Sequence, residues 1–242
     1  MKEIEIATDD GSAPARLFEP PVASGKSGVI LYMDAFGLRP ALDQMAERLA
    51  RIGYTVLVPD TLYRFGDYGP LDAKTAFSDE ETRARLIGMI GATTQAMTVA
   101  DTRHFLEALR AAGATGPVGA VGYCMGGARA LNAAAAYPDS IAAAASFHGG
   151  NLASDADDSP HRNAGSITAR VYVGCAGVDR SFPPEQSARL AQALREAEVD
   201  HIIENYVGKG HGWAVPDHSV YDEEGAERHW KRLLDLFAET LG

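Results

Sequence analysis

Cysteine is scarce in this chain: two in 242 residues, Cys124 and Cys175, far apart and with no Cys-x-x-Cys spacing. That excludes a disulfide-dense scaffold and gives no support to a zinc knuckle or a dithiol redox pair. Long hydrophobic runs are missing as well. No stretch reaches the roughly 20 apolar residues needed to span a bilayer, and Met1-Lys2-Glu3-Ile4-Glu5 alternates charge with isoleucine where a secretory leader would carry an apolar core. The expectation is a cytoplasmic protein with no membrane partner. Positive charge is the third shortage, with 22 Lys and Arg against 33 Asp and Glu and a formal net charge of -11. Nucleic acid and anionic membrane surfaces would repel such a chain, although local basic residues could still hold an anion.

Hydrophobic residues at 46% and charged residues at 23% fit an ordinary globular protein, and 242 residues fit one α/β domain over the whole chain. Two opening runs, Ile4–Ala7 and Ala13–Phe18, flank Asp9-Asp10-Gly11-Ser12, whose residues favour a hairpin turn. They read as an antiparallel pair at a sheet edge. Beyond Lys26, apolar strands alternate with helical periodicity: Gly28–Met33, Leu42–Arg51, Tyr54–Pro59, a long polar and helical stretch to Ala112, then Val118–Gly122. After these come a helix over Gly127–Tyr137, strands over Ile141–Phe147 and Ala169–Gly174, a helix over Pro184–Glu198, a strand over His201–Tyr206 and a last helix over Glu223–Leu241. This order predicts a doubly wound, mostly parallel sheet. Tyr63–Thr75 and Asn151–Ser166 read as loops. The second holds Asp155, Asp157 and Asp158 but lacks the later glycine and glutamate of a calcium loop, so a solvated loop is expected and no metal.

The most informative segment is Val118-Gly119-Ala120-Val121-Gly122-Tyr123-Cys124-Met125-Gly126-Gly127. An apolar run followed at once by Gly-x-Cys-x-Gly-Gly and a helix is a nucleophile elbow with cysteine as nucleophile. A strand turning directly into a helix strains the turn residue and brings the crossing backbones against positions 122 and 126, where only glycine fits. The strain lifts the Cys124 sulfur off the sheet and leaves the Met125 N–H facing a developing oxyanion. A buried inert cysteine beside a glycine-rich turn is the competing reading.

A cysteine nucleophile needs a base and a group that orients the base, and in this fold the chain order is nucleophile, acid, histidine. Asp179 stands past a predicted strand in Gly177-Val178-Asp179, where it could also be a turn residue or a helix cap. His211 follows in the glycine-bracketed Gly208-Lys209-Gly210-His211-Gly212. Cys124, Asp179 and His211 obey the order. His104 and His201 fall within a helix and at a strand start, His161 in the polar loop, and His218 and His229 where no strand end is expected. His148 ends a strand on the same side but in the wrong order, leaving a pocket-lining or a structural role. The loop after Val29–Met33 carries Asp34, Ala35 and Phe36, and the Ala35 N–H is the expected second oxyanion donor.

In these residues the chain resembles the dienelactone hydrolase family over nearly its whole length: the edge hairpin, a strand ending in acidic-x-Phe-Gly, the Gly-Tyr-Cys-x-Gly-Gly elbow, a Gly-x-x-Asp turn and a Gly-His loop. The resemblance implies an α/β-hydrolase fold and a cofactor-free hydrolase that opens small lactones or esters through a thioacyl-enzyme on Cys124. It also implies an activating role for Asp34, one methylene shorter than the family's glutamate, with Arg83 as its partner, and a pocket including Phe36, His148 and Trp213. Three positions depart from the family pattern: the aspartate at 34, Val215 in place of a carboxylate-binding arginine, and Ile87 in place of a tyrosine. Arg180 or Lys209 could supply the missing cation. A carboxylesterase or thioesterase with an apolar pocket of Tyr63, Phe36, Phe65 and Trp213 is the alternative enzyme. A non-catalytic binding protein on the same fold is the alternative of a different class.

Overall fold

The computed structural model describes residues 1–21 and 27–242, so Lys26, where the pattern is expected to change, lies outside the described residues. Strands β1 (Lys2–Thr8), β2 (Gly11–Phe18), β3 (Gly28–Tyr32), β4 (Thr55–Pro59), β5 (Val118–Tyr123), β6 (Ile141–Phe147), β7 (Arg170–Val178) and β8 (His201–Gly210) form one sheet in the order β1-β2-β4-β3-β5-β6-β7-β8. β2 runs antiparallel to β1 and β4; the remaining pairs are parallel. The edge hairpin and the mostly parallel sheet are as the sequence predicts. β7 and β8 extend further than the expected Ala169–Gly174 and His201–Tyr206, because parallel pairing continues to Val178↔Gly210.

Helices α1 (Pro40–Arg51), α2 (Glu80–Ala92) and α6 (Glu223–Thr240) cover one face, and α3 (Gln95–Ala111), α4 (Met125–Ala136) and α5 (Pro184–Glu196) the other. The division follows from side-chain periodicity. In β3, Val29 and Leu31 join the layer under α1 and α6, whereas Ile30 and Tyr32 join the layer under α3 and α4. With both faces covered, β3, β4 and β5 are buried at every position and read as continuous apolar runs. α1 starts with Pro40, whose missing N–H costs nothing at a helix start, and buries Leu42, Met45, Ala46 and Leu49 along one stripe. α6 does the same with Trp230, Leu233 and Phe237.

The chain winds one way from β3 to β4 and the other way from β5 to β8. The direction of winding therefore reverses between β3 and β5, and the crevice beyond the carboxyl ends of the strands there is where such sheets take ligands.

Candidate active site

Cys124 sits in that crevice, at the junction of β5 and α4, with φ 55 and ψ -121. A Cβ at 122 would lie 1.9 Å from the Gly126 carbonyl oxygen, and one at 126 would lie 2.3 Å from that of Tyr32. Glycine at both positions is thus a packing requirement of the elbow. Met125 opens α4, where backbone N–H groups have no acceptor within the helix.

Asp179 follows the last residue of β7 and His211 the last residue of β8, and the Val178↔Gly210 register sets them side by side. Asp179 Oδ2 lies 2.7 Å from His211 Nδ1, while Oδ1 accepts from the Ser181 N–H at 2.8 Å and from Ser181 Oγ at 2.6 Å. Ser181 Oγ is also 3.2 Å from His211 Nδ1. Burial opposes charge on both groups, but the mutual pairing outweighs it. The Asp179 carboxyl is held below its usual value by His211 and Ser181, and the His211 imidazole, against its burial, is pushed up to about 10 by the Cys124 sulfur and Asp179. The Asp179 carboxylate therefore holds the Nδ1 side of the imidazole. Ser181 escaped the sequence reading, although Asp-x-Ser after a strand is a turn signal that could have found it.

His148 is fully buried at φ 40, and its Nδ1 accepts the Cys124 N–H at 3.1 Å. Burial, with the nearby His211, His218 and His229, drives its pKa well below the usual imidazole value, so the ring is neutral and its proton sits on Nε2. Its ring lies 5.2 Å from that of His211 and 5.0 Å from that of Trp213.

Asp34 corrects an expectation. It pairs with Arg39 and His218, not with Arg83, which is exposed on α2 while that helix turns Leu86 and Met89 inward. Arg39, only five residues from Asp34, reaches it from the same loop. The Asp34 carboxylate is completely buried, a penalty that alone would raise its pKa; His218 and Arg39 reverse the sign and keep it ionised. It also accepts the Phe36 N–H at 3.1 Å, beside Ala35. Arg39, Asp217 and His218 carried no sequence signal, since a lone arginine before a helix and a histidine away from any strand end look like surface residues.

The expected apolar pocket does not assemble as predicted. Tyr63 packs in the opposite layer and bonds to Thr8 and Asp101, and Phe65 is partly exposed. Trp213 is wholly buried, stacked on Tyr206 at 4.5 Å, and backs His148. Phe36 packs edge-on against His218 at 5.2 Å. Of the candidate replacement cations, Lys209 is paired with Asp222 at 2.6 Å and Arg180 is exposed. Val215 is buried and Ile87 exposed. Among the described residues, no group of three or more His, Cys, Asp or Glu is placed to hold a metal ion, and no helix is long and apolar enough to cross a membrane.

The dienelactone hydrolase family model matches residues 13–241. A Salmonella typhi protein assigned by name to the carboxymethylenebutenolidases is 28% identical, with 98% of this chain and 86% of that protein aligned. The carboxymethylenebutenolidase of Rhodococcus opacus is 27% identical over 88% of this chain and 81% of its own length. Among solved structures, a Klebsiella pneumoniae protein assigned to the dienelactone hydrolases superposes with a TM-score of 0.84 at 26% identity, covering 98% of this chain and 97% of its own. A metagenomic dienelactone hydrolase-like promiscuous phosphotriesterase gives 0.81 at 25% identity, covering 100% and 98%.

Proposed function

Because the chain belongs to the dienelactone hydrolase family, whose named members act on ester and lactone bonds, we propose that it hydrolyses small esters or lactones with Cys124 as nucleophile, His211 as base and Asp179 as the group that orients the base. The observation that carries the reading is the 2.7 Å Asp179–His211 contact at the ends of β7 and β8, on the same side of the sheet as the Cys124 elbow. His211 takes the proton of the Cys124 thiol. The thiolate attacks the acyl carbon, a C–S bond forms and the carbonyl π pair moves to oxygen. That oxyanion is assigned to the Met125 and Ala35 N–H groups. Collapse expels the alkoxide, which takes a proton from His211 and leaves a thioester. His211 then takes a proton from water as the water attacks the thioester, and the thiolate departs.

One observation favours the carboxylesterase form of this reading. Arg39 is engaged by the carboxylates of Asp34 and Asp217, and position 215 is a buried valine, so the crevice has no arginine clamp at these places for an acidic lactone. The test is a substrate panel, containing a carboxylate-bearing butenolide, a neutral lactone, neutral aryl esters and a neutral phosphotriester, run on the wild type and on Cys124→Ala. Ester or lactone turnover that disappears in the variant supports the proposal; turnover that persists in the variant refutes it.

A further inference from the structure

Four hydrogen bonds converge on the Asp34 carboxylate: Oδ1 accepts from Arg39 Nη1 at 2.6 Å and from the Phe36 N–H at 3.1 Å, and Oδ2 from Arg39 Nη2 at 2.8 Å and His218 Nε2 at 3.0 Å. Those bonds use every lone-pair direction a carboxylate has. Arg39 is equally committed. Its Nε and Nη2 also donate to Asp217 at 2.6 and 2.9 Å, and its Nη1 to the Gly37 carbonyl at 3.3 Å. His218 must hold its proton on Nε2, because an ionised carboxylate only accepts. The other side of its ring abuts the histidine loop: a Cβ at Gly212, which has φ 107, would lie 2.2 Å from His218 Nδ1. Phe36 closes the assembly edge-on against His218, and the Arg39 guanidinium lies 5.5 Å from the Phe36 ring centre.

A carboxylate so saturated, in a site closed to solvent, has no lone pair to offer the thiol and nothing to gain by swinging towards it; each bond broken would leave a buried charge short of a partner. We infer that Arg39, Asp217 and His218 are positioning residues that lock Asp34, so that Asp34, through the Phe36 N–H it accepts, acts as a fixed anchor for the Ala35–Phe36 backbone and not as the group that ionises Cys124. The inference rests on the hydrolase reading above. It assigns the strand-three acid a task on the oxyanion side of the reaction and ties that side to the loop that bears His211.

The test uses His218→Leu and His218→Gln, whose amide nitrogen can stand in for Nε2, assayed on any neutral ester the wild type turns over. His218→Leu should lower kcat about tenfold to a hundredfold, as expected for a weakened oxyanion donor, with KM changed less than about twofold, the size of change left when only transition-state contacts are touched. His218→Gln should recover most of the loss. The pH dependence of Cys124 alkylation should be unchanged in both. Should His218→Leu prove unstable, Asp217→Asn at the half-exposed rim should lower kcat in the same sense by a smaller factor. An unaltered kcat, a rise in KM alone, or an alkylation profile shifted by loss of the His218 or Asp217 side chain would each overturn the inference. Hydrolysis surviving in Cys124→Ala would instead overturn the Cys124 mechanism on which the inference rests.

Discussion

The backbone N–H of Cys124 donates to Nδ1 of His148 at 3.1 Å, so the strained turn that carries Cys124 is bonded to a buried neutral imidazole just past the end of the neighbouring strand β6. The same N–H also reaches the Phe147 carbonyl at 3.2 Å. Of these two acceptors only His148 can lose its role by protonation, since a proton on Nδ1 would set two donors against each other.

From that contact, His148→Asn should retain more activity than His148→Phe. Asparagine supplies a carbonyl acceptor near the Nδ1 position and tolerates the left-handed backbone at φ 40, whereas phenylalanine fills the space without an acceptor. Steady-state rates of the two folded variants decide it; equal rates would make the ring a packing element only.

Glycine at the elbow should be irreplaceable while glycine on the exposed helix is not. Gly122→Ala and Gly126→Ala drive a methyl into backbone carbonyls at 1.9 and 2.3 Å and should cost more than about 4 kcal/mol or prevent folding. Gly88→Ala on α2 meets nothing within 4 Å and should stabilise by about 0.5–1 kcal/mol. Denaturant unfolding of the three variants provides the comparison.

Asp179→Asn and His211→Ala should each lower kcat by about a thousandfold or more, and the double variant by little more than either, because groups acting in one relay do not contribute independently. Ser181→Ala should cost less, about tenfold, since it removes one of several bonds that orient Asp179. A double-variant loss equal to the product of the single losses would separate the two residues' tasks.

Away from the site, Glu204 of β8 is held by Arg228 and Arg232 of α6 and by the Tyr172 hydroxyl; although burial opposes its charge, these partners push its pKa down to about 2. A depressed carboxylate contributes stability above its unfolded pKa and loses it as pH falls through the folded one. Glu204→Gln should therefore be less stable than the wild type at neutral pH by about 1 kcal/mol, discounted for the solvent at this rim. The gap should close between about pH 4 and pH 2. Thermal unfolding across that window checks the sign.

The elbow, the order of Cys124, Asp179 and His211, and the parallel sheet were legible in the sequence because each is written locally: a glycine pattern, strand-end positions and apolar runs covered on both faces. The surroundings of Asp34 were not. Arg39 and His218 meet it only because α1 begins beside β3 and the chain after His211 folds back through Val215, and neither approach leaves a spacing to read. Tyr63 misled for the same reason: its place in the chain suggests the mouth of the sheet, but tertiary packing turns it to the hairpin side.

The central claim is that acyl transfer passes through Cys124. Rapid acid quench of the wild type during turnover of a slow neutral ester, followed by peptide mass spectrometry, tests it most directly. The account predicts a mass gain equal to the acyl group on the peptide containing Cys124, enlarged in His211→Ala if that variant still acylates and absent in Cys124→Ala. An acyl adduct on another residue, or steady turnover with Cys124 never modified, would contradict it.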